Sequence, residues 1–78
     1  MPRYYIDIRE GGAFAEDEEG IELENIAQAQ IEAAALFADI SKEFATQDPN
    51  PLGHSLSIEV RDSSGPLFEV TFRFVARH

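Results

Sequence analysis

Apolar and polar positions alternate at both ends of the chain and recur at helical spacing in the middle. Tyr4, Ile6 and Ile8 alternate with Arg3, Tyr5, Asp7 and Arg9, which predicts a strand over 3–9 with one apolar face. Glu10-Gly11-Gly12 follows; the pair of glycines supplies the positive φ of a tight turn, and Ala13 to Glu16 reads as a short return strand with Phe14 pointing inward. Asp17-Glu18-Glu19-Gly20 is a second turn, after which Ile21-Glu22-Leu23 is extended enough to add ladder bonds. Asn25 is a good N-cap, and a helix is expected over about 26–45, rich in alanine and without glycine or proline. Pro49 and Pro51 stop it, leaving a loop over 47–54. Leu56, Ile58 and Val60 then alternate with Ser55, Ser57, Glu59 and Arg61. After a turn over 61–66, Phe68, Val70, Phe72, Phe74 and Ala76 alternate with residues 67 to 77 of the other parity, and these phenylalanines should face the helix. The order is β-β-α-β-β: an α+β domain in which an antiparallel-type four-stranded sheet carries one amphipathic helix packed on one face.

At 100° per residue the helix sorts into faces. Ile26, Ala29, Ala33, Leu36, Phe37, Ile40 and Phe44 form the core stripe, and Gln28, Glu32, Asp39, Lys42 and Glu43 mark the solvent side. Ala27, Ile31, Ala34, Ala38 and Ala45 gather on one flank, separated from the core stripe by Gln30 and Ser41. Alanine is the best helix former, which explains such a strip without any role. The competing reading is a candidate dimer face, on which small side chains let a second helix approach.

Length makes that competitor worth keeping. A domain of 78 residues buries only about 60–65% of its unfolded surface. Small domains with thin cores often draw stability from disulfides, metals or self-association. The chain has no cysteine, which removes disulfides and thiolate metal sites and fits a reducing compartment. No run of about 18 apolar residues exists, and the charged, alternating N-terminus is a strand and not a signal peptide. A single cytoplasmic domain is the expectation.

Charge adds a second candidate surface. The net charge is −9, and between Arg9 and Lys42 the chain carries nine acids and no base. Glu16, Asp17, Glu18, Glu19, Glu22 and Glu24 are the densest part and form a candidate surface for a basic partner. Such a field repels nucleic acid and anionic membranes, so neither is expected as a partner. Solubility alone also accounts for an acidic surface.

Candidate chemistry is sparse. The two histidines are His54, in a loop beside Ser55, and His78, the last residue. Neighbouring residues of an extended chain point to opposite faces, so Ser55 and His54 do not make a nucleophile–base pair. An EF-hand register with Gly20 at its sixth position puts Ala15 and Ile26 at the first and twelfth, so both essential ligands are missing. A weak, non-specific cation site or a plain solvated turn remains. No Walker loop or GxGxxG is present, and Gly11-Gly12 precedes a strand and not a helix N-terminus. No cofactor and no catalytic residue is expected, and the chain reads as a non-enzyme.

Several segments carry a family resemblance: Met1 to Gly12, Asp17-Glu18-Glu19-Gly20-Ile21-Glu22-Leu23, the helical Ala29-Gln30-Ile31-Glu32-Ala33, and Ile58-Glu59-Val60-Arg61-Asp62 before a glycine turn. Together they resemble a set of small uncharacterised bacterial proteins known only as a domain of unknown function, over nearly the whole chain. The resemblance implies no activity, cofactor or catalytic residue. The helix of that family is commonly richer in arginine; here alanine and glutamine take much of it, which further opposes nucleic-acid binding. A looser similarity, in the hairpin, acidic glycine turn and Glu32-Ala33 pair, runs to the antitoxin lobe of HicB-type toxin–antitoxin pairs. Two functions are therefore carried forward: a non-catalytic interaction module that self-associates, and an acidic inhibitor or nucleic-acid mimic that binds a basic protein.

Overall fold

A computed structural model describes residues 1–47, 55–75 and 77. The sequence-predicted loop with Pro49, Pro51 and His54, and the positions of Ala76 and His78, lie outside the described residues. The fold is α+β: strands β1 (Arg3–Glu10), β2 (Ala13–Ala15) and β3 (Ile21–Glu22), helix α1 (Ile26–Gln47), then β4 (Ser55–Asp62) and β5 (Gly65–Arg73). The sheet runs β2-β1-β4-β5 with every pairing antiparallel, and β3 joins it as a short fifth strand on β1.

The N-terminal hairpin closes on Gly11 alone, at φ 58°; Gly12 does not use positive φ. Ile8 pairs with Ala15 and Arg9 with Phe14, so Phe14 shares the face of Arg9, away from the helix. The inward placement expected for Phe14 is therefore corrected: its ring is 47% exposed and the Arg9 guanidinium lies 4.6 Å above it. Pairing parity overrode hydropathy here, since one residue of register decides the face of a whole strand.

Helix α1 starts as its cap predicts, with the Gln28 N–H donating to Asn25 Oδ1 at 3.0 Å. It runs to Gln47, two residues past the expected end. Ala29, Ala33 and Phe44 are buried, and Leu36, Phe37 and Ile40 pack against the core. Ile26 departs from its predicted place in the core stripe: it is the first helical residue and is 44% exposed.

Burial concentrates on β4. Leu56, Ile58 and Val60 are fully enclosed, whereas Phe68, Val70 and Phe72 of the last strand, and Phe74 just beyond it, are only half-buried. The reason is sheet order: β4 is flanked by β1 and β5 and covered by the helix, while β5 is an edge. β5 is also shorter than the expected strand, ending at Arg73. The helix-facing parity holds, for Phe72 meets Phe37, Phe44 and Phe74 edge to face at 5.0–6.1 Å.

Candidate functional site

Two regions hold the residues singled out by sequence. The first is the acidic turn between β2 and β3. β2 and β3 both run antiparallel to β1, but the pairing sum slips by two residues between them, so residues 16–20 bulge away from the ladder. The Asp17 side chain fills the gap. Its Oδ2 accepts the Ile6 N–H at 3.1 Å, in place of a ladder carbonyl, and its Oδ1 accepts the N–H groups of Glu19 and Gly20 at 3.1 and 3.0 Å. The Asp17 N–H donates in turn to Oδ1 of Asp7, which is 5% exposed. Arg61 closes the circuit, donating Nε–H to Asp7 Oδ2 at 2.8 Å and an Nη2 hydrogen to the Asp17 carbonyl at 3.0 Å, with its guanidinium 4.5 Å above the Tyr5 ring.

The electrostatics follow from that wiring. Burial pushes the Asp17 carboxyl up, but the N–H groups of Gly20, Ile6 and Glu19, with the Arg61 charge, outweigh it together and hold the group below its ordinary value. Hydrogen bonding to Asp7, against a smaller opposing desolvation, raises the already high Arg61 value. Gly20, at φ 72°, completes the turn: a Cβ there would meet Arg3 Cγ, the Tyr4 carbonyl oxygen and Tyr5 Cε1, each at 2.9 Å.

The six acids of the candidate partner surface therefore do different things. Asp17 is consumed by backbone N–H groups, and Glu22 pairs with Arg3 at 3.1 Å. Glu16 lies 4.0 Å from the Arg61 guanidinium, and Glu16, Glu18, Glu19 and Glu24 are exposed. Among the described residues no group of three or more His, Asp or Glu side chains is arranged to hold a metal ion. The Asp7–Arg61 pair had no sequence signal: 54 residues separate the partners, and only the β1–β4 register, which sets Tyr5 opposite Arg61, brings them together.

The second region is the helix flank and the neighbouring sheet edge. Ala27, Ile31, Ala34, Ala38 and Ala45 are all exposed, as their separation from the core stripe predicts, and Ile31 is 60% exposed. Phe37 and Phe44, the core residues nearest this flank in helical angle, contact Phe72 of β5. Ala34 therefore lies on the β5 side of the helix, while Ile31 and Ala38 turn away from the sheet. On the opposite face of the sheet a shallow concavity of about 350 Å³ lies over Asp7, Glu59, Arg61, Leu67 and Glu69. It is open and acidic, and Leu67 enters it because the β4–β5 ladder bulges between Val60 and Arg61.

No helix among the described residues is long and apolar enough to cross a membrane. No curated protein and no solved structure matches the chain. A family match extends over residues 3–73, from the first strand to the last and through both regions just described. The chain accordingly belongs to the family described as Domain of unknown function (DUF6894).

Proposed function

We propose that this domain is a non-catalytic cytoplasmic interaction module that assembles with a second copy of itself and takes neither nucleic acid nor membrane as a partner. The observation that supports it is apolar surface gathered on one side: Ile31 exposed among the small residues Ala27, Ala34, Ala38 and Ala45, beside a β5 whose phenylalanines the single helix covers only by half. Leaving that side wet forfeits burial that a thin core needs, whereas a two-fold dimer covers the same patch twice. Light scattering over a wide concentration range should find a dimer. Ala34→Glu should shift it toward monomer while the circular dichroism spectrum stays unchanged. A wild-type chain that remains monomeric at millimolar concentration sinks the reading.

A second reading is supported by a different observation. Glu16, Glu18, Glu19 and Glu24 are exposed along one short stretch whose turn Asp17 ties through the N–H groups of Glu19 and Gly20, a geometry suited to a basic protein, as in an inhibitor, antitoxin or nucleic-acid mimic. Immobilised domain would then capture basic proteins at low salt and release them near 0.5 M sodium chloride, since screening shortens to a few ångströms. Capture indifferent to salt argues against it.

A further inference from the structure

We propose that the second copy docks edge to edge on β5, with the two-fold axis through Thr71, joining two sheets into one continuous sheet. The inference rests on the self-association just proposed and names the surface that carries it.

β5 is the last strand of the sheet order, and no described segment pairs with its outer edge. Its last six residues, Phe68 to Arg73, run without a bulge in one-to-one register with β4 from Val60 back to Ser55. Regular edges of this kind offer a row of backbone donors and acceptors to another strand. An antiparallel self-pairing has one free choice, the residue on the axis, and charge selects it. On the open face, Glu69 lies directly opposite Glu59 within the chain, a like-charge pair that destabilises the ladder, while Arg73 lies opposite Ser55. With Thr71 on the axis, each Glu69 meets the other copy's Arg73, and the unfavourable Glu59–Glu69 neighbour gains a cation. An axis through Glu69 sets two carboxylates against each other, and an axis through Val70 sets Glu69 beside threonine.

The same register also serves the helix-facing side. Val70 falls opposite Phe72 and Phe68 opposite Phe74, so four half-buried apolar positions on each copy cover one another. The helices follow. Each packs over its own β4 and β5, so two helices on one face stand two to three strand spacings apart, about 10–14 Å at ~4.8 Å per strand. Ala34 lies about 60° around the helix from Phe37, on the β5 side, so the Ala34 side of each helix turns toward the other copy across the axis. At the near end of that range helices reach packing distance, where small residues fit. Edge pairing and the Ala34 side of the helix are then two layers of one interface.

Sedimentation equilibrium on the full chain tests the charge match. Glu69→Arg and Arg73→Glu should each raise the dimer dissociation constant about tenfold or more, because two attractive cross-strand pairs become repulsive. The two changes combined should restore it. Thr71→Cys gives an independent readout, since the chain has no cysteine. Paired residues on an antiparallel axis have Cα atoms about 4.5–5.5 Å apart, within disulfide reach, so mild oxidation should yield a covalent dimer. Ser57→Cys, one strand further in, should not. A wild-type dimer that keeps its mass in both single reversals, fails to recover in the double variant, or cross-links no better through position 71 than through 57 overturns the β5 assignment and leaves self-association standing. A wild-type monomer removes both.

Discussion

The two edges of this sheet are built in opposite ways. The edge made by β2 and β3 consists of strands of three and two residues, separated by a bulge. Its one interrupted position is not left open: Asp17 supplies the acceptor that a ladder carbonyl would have supplied to Ile6. Arg3, Glu22 and Arg61 then tie the turn to the sheet. Short strands, bulges and charge are the usual means of keeping an edge from recruiting another chain. The β5 edge has none of these between Phe68 and Arg73 beyond one acid and one base, set so that they attract their own copy. The acidic turn, the most conspicuous sequence in the chain, thus closes one side of the molecule, and the plainest strand leaves the other side open.

Gly20→Ala should break the closed edge most severely. A methyl group 2.9 Å from the Tyr4 carbonyl oxygen, on a backbone at φ 72°, forces either the turn or β1 to move. A loss of about 2–4 kcal/mol is expected from the left-handed conformation and the overlap together. Gly12→Ala meets nothing within 4 Å and should fall within about 0.5 kcal/mol of wild type. Denaturant melts giving equal losses for the two would show that the turn has no special demand.

On the open side, Phe72→Ala should destabilise by about 2–3 kcal/mol. That is below the ~3–5 kcal/mol of a fully enclosed aromatic, because Phe72 is half-buried despite its three aromatic neighbours. Thr71→Ala loses a hydroxyl contact to Ser57 at 3.2 Å and should cost less than half as much. If Phe72→Ala matched the loss from Leu56→Ala, which empties a fully enclosed site, β5 would be covered in solution more than the single chain covers it, and by its dimer partner.

The smallest effect expected is in acid. The Asp17 carboxyl is held below its ordinary value of 3.8. A depressed carboxylate contributes stability that is fully present above the unfolded value and is lost as pH falls through the folded one. Wild type should therefore lose stability from about pH 4 downward, and Asp17→Asn should be less stable than wild type at neutral pH, by about 1–2 kcal/mol. Below the folded value the two should converge. Parallel pH curves for the two proteins would assign the acid sensitivity to other carboxylates.

Much of the fold was legible in the chain. Period-two alternation places β1, β4 and β5, the helical stripe finds Ala29, Ala33 and Phe44, and Asn25 marks the helix start because local hydrogen bonding needs no distant partner. The exposed flank of Ala27, Ile31, Ala34, Ala38 and Ala45 also follows from helical angle alone. Phe14 and Ile26 were misplaced for one reason: hydropathy says that a side chain gains by burial, and only pairing register and the helix end decide whether burial is offered.

Local order along the chain dictates whatever depends on neighbours within a few residues: strands, helix, cap, turns and the sign of the charge. Strand order is not of that kind, since antiparallel pairs joined by loops tolerate several arrangements with the same local preferences. Only the tertiary structure set β1 beside β4, and with it joined Asp7 to Arg61 across 54 residues. The same choice put β4 under the helix and β5 at the rim, so that of two equally alternating strands one became core and the other an edge. Burial and edge pairing are properties of position in the assembled sheet, which no residue carries alone.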